Sequence, residues 1–236
     1  MVALALFGGL AGLLTTVAGA GGGMMLVLGL GAWWGDPVRA LAVATPALLV
    51  GNLHRTVLYR RDLPRHLVVP WVVGAMAGAL GGGQLAVRLP PTLLQLAMVG
   101  SALAAVATHV RRTTVVRARA RWLGPAGLAV GLASTAGGAG LLANPILQGA
   151  GLRGGPYLAA LSAGGVAMHV GRLIGMGAGG GLTLDVVPLA SVLAVTIPLG
   201  NLLGRWVRGW LSDERTARVE VASMVALVSL SLAGLL

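Results

Sequence analysis

Residues 15–30 read TTVAGAGGGMMLVLGL, with four glycines between positions 19 and 23 in the middle of an apolar run. Glycine inside a helix costs about 1 kcal/mol relative to alanine, so a cluster of this kind predicts a break. The run containing it extends over 2–34, too long for one ordinary membrane crossing and too short for two, since a crossing takes about 20 helical residues. A second run, 123–150, has the same awkward length and carries TAGGAGLL at 135–142. Each run is therefore expected to form either a re-entrant hairpin or two short tilted helices.

The rest of the chain follows from that reading. With 56% hydrophobic residues, 10% charged residues and a mean hydropathy of +0.88, it has too little polar surface for a soluble globule. Further apolar spans are expected at 38–58, 67–87, 92–110, 156–176, 186–204 and 219–236. The class is an all-α polytopic membrane protein. All 17 basic residues are arginine, and twelve of them lie in the segments 59–66, 111–121 and 205–218. A net charge of +11 spread over short loops in this way sets membrane orientation, with those loops cytoplasmic and both termini outside. Nucleic acid is not an expected partner. The chain contains no Cys, which excludes disulfides, thiol nucleophiles and thiolate metal sites. The start, MVALALFGGLAGLL, lacks the positive region of a cleaved signal peptide.

An offset of 117 residues lays LAVATPALLVGNLHR (41–55) over LAALSAGGVAMHVGR (158–172), placing Thr45 on Ser162, Asn52 on His169 and Arg55 on Arg172. The same comparison sets the first glycine cluster over the second and Pro70 over Pro188 after one gap. The chain is thus expected to hold two repeats, 1–110 and 123–236, joined by an arginine-rich cytoplasmic linker at 111–122. Each repeat contains a glycine-broken element and three transmembrane helices. An odd number of clear crossings per repeat makes the repeats inverted about an axis in the membrane plane, an arrangement in which transporters place a site near the midplane.

Irregular backbone at membrane depth is tolerated where it lines a cavity, and a helix starting at the break points free N–H groups into it, which suits a small anion. Candidate binding residues are Gly21, Gly22, Gly23, Gly138, Ala139 and Gly140 at the breaks, with Thr45, Asn52, Ser162 and His169 on the helices that follow. Asn144, ahead of Pro145, is expected to turn or cap a short helix and to reach the substrate. Arg55 and Arg172 are candidates for gating or anion attraction. Proximity of Arg55 to the basic loop makes snorkelling its simplest account, whereas Arg172 sits far from any basic loop. All six acidic residues, Asp36, Asp62, Asp185, Asp213, Glu214 and Glu220, fall in loops or at span ends. No intramembrane carboxylate is therefore expected to carry a coupling cation, and no metal, catalytic constellation or cofactor is expected.

GAGGG at 19–23, Ala42–Val43–Ala44–Thr45, their repetition as GGAG and ALSA, and the eight-span layout resemble the TauE/SafE family of anion transporters, also called sulfite exporters. The resemblance spans nearly the whole chain. Pro46 departs from it, standing where the family often has a small hydroxyl residue, and Ala139 interrupts the second glycine pattern. The resemblance implies export of sulfite, a sulfonate such as sulfoacetate, or a similar anion across the bacterial inner membrane. Potential-driven alternating access is the expected mechanism, with a proton-coupled symporter or importer, or a non-transporting scaffold subunit, as alternatives. Expected partners are the small anion and the lipid bilayer, with a homodimer left open.

Overall fold

The computed structural model describes residues 1–17, 22–110, 120–136 and 139–211, with scattered positions between 218 and 229. The described residues are helical, without strands. Nine α-helices are described among them: α1 (Val2–Val17), α2 (Gly22–Trp34), α3 (Pro37–Leu58), α4 (Arg65–Arg88), α5 (Pro91–Val110), α6 (Leu123–Ala133), α7 (Ala139–Gly149), α8 (Gly154–Ala178) and α9 (Val186–Arg208). α3, α4, α8 and α9 are long and apolar enough to cross a membrane. Residues 111–119 of the expected linker, and all but scattered positions of the last expected span, lie outside the described residues.

Both runs of awkward length are broken. The first gives α1 and α2, of 16 and 13 residues. The second gives α6, a 3₁₀ turn at Ser134–Ala136, and α7. At 1.5 Å per residue α1 and α2 are about 24 and 20 Å long, short of the ~30 Å hydrocarbon core.

Glycine-mediated contacts fix the directions of the helices. A Cβ on Gly127 would crowd the Trp71 carbonyl and one on Gly131 the Ala75 carbonyl, so α6 runs parallel to α4 at close range. Gly171 and Gly175 likewise meet Met76 and Leu80, so α8 is also parallel to α4. Gly12 abuts Ile197, Gly204 abuts Leu13, and α1 is parallel to α9. Small residues at these places let backbones approach closely, which is what holds helices together where the solvent is as apolar as the side chains. α3 runs the other way from α8: Arg172 meets Thr45 whereas Gly165 meets Asn52, so seven residues back along α8 is seven forward along α3. Arg39, near the start of α3, bonds Asp185, just ahead of α9, at 3.2 Å, so those two are parallel. Consequently α1, α3 and α9 run in one direction and α4, α6 and α8 in the other.

These directions decide between the two expectations for the broken runs. α1 ascends along α9, and α2 returns through Gly35, at φ 65°, to the start of α3. α6 descends along α4, and α7 returns to the start of α8, where Gly155 meets Asp62 of the α3–α4 loop. Each is a hairpin with both feet at one end of the protein, and the two enter from opposite ends. Arg60, Arg61 and Arg65, Arg121 ahead of α6, and Arg205 near the close of α9 all gather at a single end.

α3 begins where Asp36 accepts the Arg39 backbone N–H at 2.9 Å and Pro37 occupies the first helical turn. α2 is buried all round from Met24 to Gly31, as a helix hydrophobic on every face should be. It forms one core with α3, α5 and parts of α1 and α9, while Trp71, Ala75 and Ala79 of α4 join α6, α7 and α8 in a second.

Candidate functional site

Between the two cores lies a column of polar groups on α3 and α8. Ser162, His169 and Arg172 fall within about 80° of one another around α8 at 3.6 residues per turn, and Thr45, Asn52 and Arg55 repeat that spacing on α3. Ser162, His169 and Arg172 are all buried, as is Thr45.

Arg172 anchors the outer part of the column, remote from the arginine-rich end. Only 4% exposed, it donates from Nη2 to the carbonyl of Ser134 at the tip of the α6–α7 hairpin, and from Nη1 to Thr45 Oγ1 at 3.4 Å. Its Nε is buried without a partner. Thr45 in turn donates to the Leu41 carbonyl at 2.6 Å, so its hydroxyl serves both its own helix and the arginine. The ion pair of Arg39 with Asp185 is well exposed and does not involve Arg172. Arg172 is therefore a buried cation held by neutral oxygens alone. A charge so placed is expensive unless something negative joins it.

Arg55 departs from the snorkelling expectation. Its Nη2 turns back along α3 to Asn52 Oδ1 at 3.0 Å, and its Nε is buried and unpartnered. Asn52 offers the nearer acceptor, and its own Nδ2 donates to the Leu48 carbonyl at 3.0 Å. The Asn52 amide lies against Gly165 of α8. His169 is 9% exposed, its Nδ1 has no partner, and it lies within electrostatic range of both Arg172 and Arg55.

The break residues are less evenly placed. Gly22 faces α1, where a Cβ would overlap Thr15 and the Ala11 carbonyl, so it closes the hairpin tip by contact. Gly23 faces Leu48 at an ordinary 3.5 Å. Gly21 and Gly138 lie outside the described residues, and Ala139 and Gly140 open α7. Asn144 was expected to turn or cap the short helix; it lies inside α7 with Pro145 following it, and its Oδ1 is buried without a partner. Pro145 removes one helical hydrogen bond and leaves the helix continuous.

Two contributors carried no signal in the sequence. Ser134 acts through its main-chain carbonyl, which any residue would supply. Trp71 is fully buried in α4, its indole Nε1 has no acceptor, and it rests against Gly164. Near a span end a tryptophan ordinarily signals the membrane interface, so its position in the sequence did not distinguish it.

The model of the sulfite exporter TauE/SafE family matches residues 4–232. The chain belongs to that family. No curated protein and no solved structure matches it. TauE/SafE proteins are transporters, and membership together with the long apolar helices makes this a multi-pass membrane protein of the anion-transporter kind.

Proposed function

We propose that the protein exports a small oxyanion, such as sulfite or a short sulfonate, across the bacterial inner membrane by alternating access driven by the membrane potential. The observation that carries this reading is Arg172, a buried guanidinium with neutral partners, seated at the tip of one hairpin. An anion arriving there supplies the missing charge. The opposed directions of α1 and α6, of α3 and α8 and of α4 and α9 support reading the halves as inverted repeats, with Arg172 and Arg55 serving opposite mouths of one pathway. Arg172 bonds Thr45 and Arg55 bonds Asn52, seven residues apart on α3, which separates the two guanidinium levels by about 10 Å. An inside-negative potential of 100 mV drives each negative charge outward with about 2.3 kcal/mol.

His169 favours a second reading, proton coupling, because its Nδ1 is buried without a partner and an imidazole is the side chain best suited to carry a proton near neutral pH. Proteoliposomes separate the two. Loaded with sulfite or methanesulfonate and set interior-negative by a potassium gradient with valinomycin, the parent should release anion without a proton gradient. Release that requires a proton gradient and loses its pH dependence in His169→Gln would replace potential-driven export by proton coupling. No release of any of a panel of small anions would overturn the transport reading.

A further inference from the structure

We propose that Trp71 is a substrate-binding residue of this pathway, its indole N–H forming with Asn52 a charge-neutral stopping point for an oxyanion between Arg172 and Arg55. The inference rests on the transport reading above. It starts from an orphaned donor. Trp71 is completely buried, yet its Nε1 has no acceptor. A buried indole N–H ordinarily finds one, because leaving it unsatisfied forfeits the water it would otherwise bond.

The surroundings say what is missing. Trp71 reaches α8 from α4 at Gly164, and Asn52 reaches it from α3 at Gly165, so two polar side chains from two helices converge on consecutive residues that lack side chains. A Cβ at Gly164 would overlap the indole nitrogen, and one at Gly165 would lie 2.8 Å from the Asn52 Oδ1. The glycines thus let the indole N–H and the Asn52 amide seat directly against the α8 backbone. Asn52 spends one amide N–H on Leu48 and its oxygen on Arg55, which leaves the second amide N–H for another acceptor. His169, one turn further along α8, adds a further unpartnered nitrogen. The unmet valences at this level include donors, and no carboxylate is present among the described residues to meet them. A multi-oxygen headgroup, sulfonate, sulfite or carboxylate, presents acceptors that donors on separate helices can share.

Chemistry also favours neutral donors here. An anion moving between two guanidiniums about 10 Å apart must leave each one, and neutral donors on the way hold it by hydrogen bonds without trapping it. α9, which runs where a symmetric copy of α4 would, carries Leu189 near the matching register, so this stop belongs to one half of the protein only.

The test replaces the N–H and keeps the shape. β-(3-Benzothienyl)alanine at position 71 exchanges the indole N–H for sulfur, and Trp71→Phe serves as a genetic counterpart. In proteoliposomes the sulfur isostere should lower methanesulfonate flux about tenfold, the loss of one hydrogen bond to a charged group, at an unchanged melting temperature. In protein labelled with 5-fluorotryptophan, the ¹⁹F resonance that disappears in Trp71→Phe should move on titration with methanesulfonate. Parent-like flux in the isostere, or a Trp71 resonance that stays fixed while the parent transports, overturns the inference and leaves the transport reading intact. A parent that neither transports nor shows the shift overturns both.

Discussion

Replacing Arg172 by glutamine separates an anion-binding cation from a packing residue, because the two roles predict opposite effects on stability. The guanidinium is 4% exposed and makes two hydrogen bonds to neutral oxygens, those of Ser134 and Thr45. Removing it loses those bonds, worth about 1.5–3 kcal/mol each, but also removes the several kcal/mol needed to keep an uncompensated charge out of water. The anion-free variant should therefore melt at or slightly above the parent temperature. Binding should collapse. A unit charge about 4 Å from the guanidinium at an effective dielectric of 20 interacts by about 4 kcal/mol, which is roughly a thousandfold in affinity. The assay is a melting curve in detergent with and without sulfite or methanesulfonate, paired with flux in proteoliposomes. The parent should be stabilised by the anion and Arg172→Gln should not. If Arg172→Gln melts several degrees below the parent and keeps an anion-induced shift, Arg172 is structural and the argument from its buried charge fails.

Other tests reach the fold and the orientation. In this Cys-free chain, single cysteines at Asp36 and Thr183 should react with an impermeant thiol reagent in intact cells, while those at Leu63, Arg121 and Trp210, at the arginine-rich end, should not. Labelling of the second set alone would invert the orientation. Gly131→Ala should lower stability by about 2 kcal/mol, because its methyl would drive into the Ala75 carbonyl; Gly81→Ala, with open space around it, should raise stability by about 0.5–1 kcal/mol in the same unfolding assay. Asp185→Asn should change stability by less than about 1 kcal/mol, since its bond to Arg39 is solvent-exposed.

The sequence located the breaks well because glycine clusters and run length are local properties. Whether 2–34 crosses or returns was not local: the hairpin follows from Gly12 lying against Ile197 and Gly204 against Leu13, and a glycine in sequence does not say which carbonyl it will meet. Arg172 was legible as an unusual cation because no basic loop lies near it. Its seat was not, because Ser134 contributes only a main-chain oxygen. Arg55 looked like a snorkelling residue, and the acceptor three residues earlier drew it inward instead. Trp71 escaped notice because hydropathy counts its ring and ignores the N–H that has nowhere to go.

The cross-pairing of the hairpins has a consequence for how the chain is made. α1 finds its main partner in α9 and α6 finds its own in α4, so neither half can bury its glycine faces with its own helices alone. Roughly 190 residues separate α1 from the end of α9, and at about 5–20 residues per second the ribosome takes some 10–40 s to supply them. During that interval the carbonyl-lined face of α1 stands against lipid or an insertion factor. Biogenesis is then governed by the last third of the chain, and a truncation ahead of α9 should leave the first hairpin without its partner and hand the nascent protein to membrane proteolysis.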